Sequence, residues 1–178
     1  PANSPPTVLN QAMIGSTGVQ SPLNIDIHAV DQAFITLTDA NGTQTDASSG
    51  RRGYNVTILD ADNGEILDQQ GFDTVANEYE VQALVDYLNG VSDGHIALLA
   101  TREGAGDFVS PDLATALQRI GSAITSPNQL RGQTHALTRV VGAGQGSSTE
   151  IIDPADAFLR IAGDYRTLAA ALDWLRIE

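Results

Sequence analysis

The stretch from Arg52 to Ser122 constrains the fold more than any other part of the chain, because its apolar pattern switches between strand and helix periods within one short run. Tyr54–Leu59 and Glu65–Gln70 read as strands on either side of Asp60-Ala61-Asp62-Asn63-Gly64, where Asn-Gly offers the positive φ that a hairpin needs. Asn77 can cap a helix, with Glu80 three residues later completing a capping-box pattern. Val81, Leu84, Val85 and Leu88 then recur at i, i+3, i+4, i+7, and Gly90 offers a left-handed stop. Ile96–Ala100 is apolar at every position, which predicts a strand buried on both faces. Ser110-Pro111 reads as a cap and a first-turn proline for a second helix carrying Leu113, Ala116, Leu117 and Ile120, ended by Gly121.

The flanks add strands. Leu23, Ile25, Ile27 and Ala29 alternate with Asn24, Asp26 and His28, which is strand periodicity. Phe34–Thr38 and Thr43–Asp46 flank Asp39-Ala40-Asn41-Gly42, a second hairpin signal. Thr134–Val141, Thr149–Ile152 and Ala157–Ile161 read as strands, with a flexible turn over Gly142–Ser148. Asp164 can cap a last helix carrying Leu168, Ala171, Leu172 and Leu175, although Leu172–Ile177 also fits a strand. Antiparallel hairpins with helices inserted between later strands predict an α+β fold: an antiparallel β-sandwich-like core with two to three short helices packed on it. Residues 1–21 are rich in Pro, Gly, Ser, Thr and Asn and are expected to form an extended arm that lies on a neighbouring subunit or back on its own domain. Residues 22–178 are expected to form one domain with a C-terminal extension.

Composition narrows the function classes. Hydrophobic residues make up 42% of 178, enough for a packed core. No apolar run approaches the roughly 18 residues that span a bilayer, and no Arg-flanked apolar segment opens the sequence, so synthesis in the cytoplasm without a signal peptide is expected. Cysteine is absent, which removes disulfides, thiolate metal ligands and a Cys nucleophile. The net charge of −13 makes nucleic acid and anionic membranes poor partners. All nine basic residues are Arg, whose planar fork suits sugar hydroxyls and carboxylates.

Motifs for catalysis and metal binding do not emerge. Asp60-x-Asp62-Asn63-Gly64 with Asp68 suggests calcium, but Gly64 falls at the fifth loop position where an EF-hand needs it at the sixth, and the twelfth residue, Gly71, has no carboxylate. His28, His95 and His135 form no short-spaced pair. There is no Gly-x-Ser-x-Gly elbow, and Gly142-Ala143-Gly144-Gln145-Gly146 lacks the Lys of a phosphate loop. No cofactor, no metal and no enzymatic activity are therefore expected.

The words Arg52-Gly53, Gly64-x-x-Leu67-Asp68, Phe72-Asp73, Asp93-Gly94-x-Ile96 and Ile120-Gly121-Ser122, in this order, carry a resemblance. Over Leu23–Gly142 the sequence resembles the interleukin-like EMT inducer domain, found in cytokine-like secreted proteins and in the stem of an O-mannose N-acetylglucosaminyltransferase. The resemblance implies the same sandwich, and a domain that binds partners or sugars without catalysis. It also implies a ligand-binding set of Arg52, Glu103, Arg131 and His135, with two aromatic positions of the sugar-binding member occupied here by Leu130 and His135. The expected function is a non-catalytic recognition and assembly module: a lectin-like domain in a larger surface or phage virion assembly, joined to other subunits through its arm as a homo- or hetero-oligomer. A soluble glycan-binding domain acting alone is the alternative.

Overall fold

The computed structural model describes residues 8–11, 13–144 and 146–163, with side chains from Met13 onward. In chain order the elements are β1 (Val8–Gln11), β2 (Asn24–Ala29), β3 (Ala33–Thr38), β4 (Gln44–Asp46), β5 (Gly53–Leu59), β6 (Ile66–Phe72), α1 (Glu78–Gly90), β7 (Ile96–Arg102), α2 (Pro111–Arg119), a 3-10 turn (Pro127–Gln129), β8 (Thr134–Val140), β9 (Thr149–Asp153) and β10 (Ala157–Ile161). The strands form two sheets, ordered β1-β10-β2-β3-β4 and β6-β5-β7-β8-β9. Pairing is antiparallel throughout, except that β1 runs parallel to β10.

Three layers result. Ile25, Ile27, Ile35 and Leu37 of the first sheet pack against Leu59, Ile96, Leu98 and Ala100 of the second. The other face of the second sheet carries Tyr54, Val56, Leu99 and Leu137, which α1 and α2 cover with Leu84, Leu88, Leu113 and Leu117. Every residue of β5 and β8 is buried, because sheet and helices press on them from opposite sides. The sandwich-like α+β expectation therefore holds at the level of architecture: mainly β, with two α-helices among the described residues. The further helix expected from Asp164 lies outside the described residues.

Local signals were realised in altered form. Asn77 caps α1 by accepting the Glu80 amide at 3.0 Å. Glu80 does not close the box; its carboxylate accepts the Asp73 amide at 3.1 Å and pairs with Arg51 at 2.7 Å. Gly90 stays inside α1, and the helix ends on Val91 in extended geometry (φ −68°, ψ 128°) rather than on a left-handed glycine. In both hairpin turns the positive φ falls on glycine alone, Gly42 at 83° and Gly64 at 77°. Asp39 and Asp60 accept the amides of those turns: Asn41 and Thr43 in one, Asp62 and Asn63 in the other. Part of the N-terminal segment lies on its own domain, since β1 extends β10 and Ile14 is fully buried in the inter-sheet core.

Gly53 shows why the Arg-Gly word starts β5. Its φ is 82°, and a Cβ there would stand 2.3 Å from the Phe72 carbonyl oxygen and 2.5 Å from the Thr74 amide nitrogen. Gly53→Ala is expected to lower the unfolding free energy by at least about 2 kcal/mol, read from the urea midpoint at unchanged m-value.

Candidate functional site

β7 leaves the sheet at Arg102, and the chain turns at once. Glu103 has φ 58° and is the one non-glycine residue with positive φ among those described. A left-handed backbone costs a residue with a Cβ roughly 1–2 kcal/mol, and such strain gathers at functional loops. Gly104 (φ 80°) continues the turn. The loop is pinned on both sides: the Glu103 amide donates to the Val30 carbonyl at 3.0 Å, and the Ala105 amide donates to the Gln133 carbonyl at 2.9 Å. A Cβ on Gly104 would come within 3.2 Å of that same Gln133 oxygen, so the two loops touch backbone to backbone.

Those bonds hold open a cleft of about 230 Å³ walled by Asp31, Glu103, Gly104, Gly132, Pro154 and Ala155. Three loops meet there: the β2–β3 turn, the loop after β7 and the segment before β8, with the β9–β10 turn closing the side. Two carboxylates and a rim of backbone suit a ligand rich in hydroxyl donors. Asp31, Pro154 and Ala155 were not picked out from the sequence, where they read only as turn residues.

The four residues implied by the resemblance have different fates. Glu103 lines the cleft. Arg131 is exposed, next to the cleft wall at Gly132. Arg52 lies beside Glu103 because Gly53 pairs with Arg102 across β5 and β7. Its guanidinium is committed to Asp73, Nε to Oδ1 and Nη2 to Oδ2 both at 2.9 Å. That two-pronged bond holds Asp73 below the usual carboxylate range and, with the Glu103 charge, raises the pKa of Arg52. His135 is fully buried, with both ring nitrogens bonded inside the chain.

The partners of His135 form a continuous polar chain. The Tyr54 hydroxyl meets Nδ1 at 2.8 Å, Nε2 meets Glu150 Oε1 at 2.8 Å, and Glu150 also accepts the Ser122 hydroxyl and the Ala123 amide. The carboxylate sits between Ser122 and His135, so the imidazole meets the serine hydroxyl only through Glu150. Burial alone would raise the Glu150 pKa; the bonds from His135, Ser122 and Ala123 outweigh it and bring the value down to about 2. Burial and the Glu150 charge keep the Tyr54 phenol protonated far up the pH scale. A depressed carboxylate stabilises the fold fully above its unfolded pKa, and that contribution fades as pH falls through the folded one. Acid unfolding should therefore show a loss on the order of 3 kcal/mol between pH 4.5 and 2 that Glu150→Gln removes, measured by urea titrations at stepped pH.

The family model of the interleukin-like EMT inducer matches residues 52–142. A cell surface hyaluronidase of Danio rerio is 30% identical over 142 residues, 75% of this chain and 10% of that protein. A cell migration-inducing and hyaluronan-binding protein of Mus musculus is 33% identical over 75 residues, 42% of this chain and 6% of that protein. The chain thus spans a tenth or less of the length of these relatives. No helix among the described residues is long and apolar enough to cross a membrane. With the matched block running from the Arg52 pair through β8 to Gly142, the chain belongs to the interleukin-like EMT inducer family.

Proposed function

We propose that this chain is a non-catalytic recognition domain whose cleft between Glu103–Gly104 and Gly132 receives an uncharged sugar unit of a glycan. The observation that carries the reading is Glu103, held with a left-handed backbone between two loops on the wall of a preformed cleft, its carboxylate 3.6 Å from Arg102 Nε. Rigid backbone bonds to Val30 and Gln133 fix the loop before any ligand arrives, which lowers the ordering cost of binding. Asp31 and Glu103 supply acceptors for hydroxyl donors, and exposed Arg131 supplies donors at the rim.

The named relatives bring hyaluronan, a polyanion, into consideration. Here the physics favours a neutral sugar: the cleft holds two carboxylates, and the chain carries a net charge of −13. The relatives are cell-surface or hyaluronan-binding proteins by name and lend nothing to a virion role.

Titration of the labelled protein with a β-linked N-acetylhexosamine disaccharide should shift the amides of Glu103, Gly104, Gly132 and Ala155, with a dissociation constant on the order of 1 mM, equivalent to about −4 kcal/mol. Glu103→Ala should weaken that response at least about tenfold. A hyaluronan tetrasaccharide should bind more weakly, and less so at high salt as its repulsion is screened. Silence at these amides with the neutral sugar would sink the proposal.

A further inference from the structure

A second cavity lies at the opposite end of β7, beside His95 and between α1 and the β5–β6 hairpin. Its volume is about 370 Å³, within the roughly 300–1,000 Å³ usual for ligand pockets. Ile58 and Leu67 give it an apolar floor from the hairpin; Tyr87 and Val91 do the same from the end of α1. The Tyr87 ring is fixed by Phe72, with centroids 5.3 Å apart at 51°. Its hydroxyl is buried and faces the Asp68 carboxylate. Burial, and then the nearby Asp68 carboxylate, push the Tyr87 pKa upward.

The cavity also holds Asp68 and Asp86. Asp68 accepts the Gln69 amide at 2.8 Å, and Asp86 accepts the Gln82 side-chain amide at 2.8 Å. Both donors are neutral. Among the described residues the ion pairs use other carboxylates, so neither charge here is offset by a cation. An aromatic ring, an apolar floor and two carboxylates without a cationic partner among the described residues together complement a cation on an apolar stem.

The edge strand says how such a group is delivered. β6 is the outer strand of its sheet, bonded on one side to β5, and Ile66–Gln70 are exposed. Asp68 pairs with Ile58 and therefore shares the helix-facing side of the sheet with Ile58, Val56 and Tyr54. A strand added to the free edge of β6 places the residue opposite Asp68 on that same face, over the cavity.

We propose that this cavity binds an Arg or Lys side chain of a partner protein's extended basic segment, laid against the free edge of β6. The stem lies along Ile58, Leu67 and Val91, while the charged head reaches Asp68, Asp86 and the Tyr87 ring. The site is independent of the sugar cleft. The two stand at opposite ends of β7, a seven-residue strand, so about 20 Å separates them at roughly 3.3 Å per residue.

Amide-shift titrations test this with three probes: N-acetyl-arginine methylamide, a five-residue β-branched peptide with a central arginine, and the same peptide with citrulline. The arginine probes should shift the amides of Tyr87, Val91, Ser92 and His95, and the peptide should also shift Asp68–Gln70 and bind tighter than the single residue. Citrulline should bind at least about tenfold more weakly than arginine, as should the arginine peptide to Asp86→Asn or to Asp68→Asn, a change of about 1.4 kcal/mol. Glu103→Ala should leave arginine binding unchanged, which separates this result from the fate of the sugar cleft. Equal binding of arginine and citrulline peptides, or full binding by both Asn variants, overturns the cation site. Equal affinity of the peptide and the single residue overturns the added strand.

Discussion

The second sheet must be covered on both faces, and the rest of the structure follows from that requirement. β5, β7 and β8 bear apolar side chains above and below, so one layer cannot satisfy them. The first sheet meets Leu59, Ile96, Leu98 and Ala100; the helices meet Tyr54, Val56, Leu99 and Leu137. Each Val, Leu or Ile among them contributes roughly 1.5–3 kcal/mol when withdrawn from water. α1 and α2 owe their positions to this face, as their buried stripes show: Val81, Leu84, Val85 and Leu88 on one, Leu113, Ala114, Ala116 and Leu117 on the other.

The helix-facing side of β8 is less uniform than a plain core. His135, Leu137 and Arg139 alternate there, so a histidine and an arginine are enclosed beside leucine. His135 is satisfied by Tyr54 and Glu150. Arg139 is fully buried; its Nε donates to the Val140 carbonyl at 2.7 Å, while its two terminal nitrogens find no acceptor among the described residues, and burial lowers its pKa. The guanidinium fits because Gly121 has no side chain: a Cβ there would lie 1.1 Å from Nη1. The Ile120-Gly121-Ser122 word thus has a physical content. Ile120 enters the core, Gly121 makes room for Arg139, and Ser122 bonds Glu150.

Periodicity made the strands and helices legible. The wholly apolar Ile96–Ala100 announced double burial, and the Asn77 and Ser110 caps fixed where both helices begin. Contacts between distant residues were not legible, since local pattern carries no information about them. Glu80 looked like half of a capping box and instead serves Asp73 and Arg51. His135 stood where a ligand-facing aromatic was expected, yet the alternation of β8 turns it inward onto Tyr54. The cleft at Glu103 was only half visible: the family resemblance points to Glu103, while its opposite walls at Asp31 and Pro154 come from turns with no motif of their own.

β7 has a mechanical meaning beyond its place in the core. It bonds β5 on one side and β8 on the other and is buried from Ile96 to Thr101, so it can neither slide nor bend without breaking both ladders. His95 and Glu103, at its two ends, are therefore held at a fixed spacing, like jaws on an inelastic bar. Were ligands bound at both ends, the strand would hold them at that spacing and add no slack of its own. Any compliance in an assembly that contains it must reside in the segments outside the sandwich.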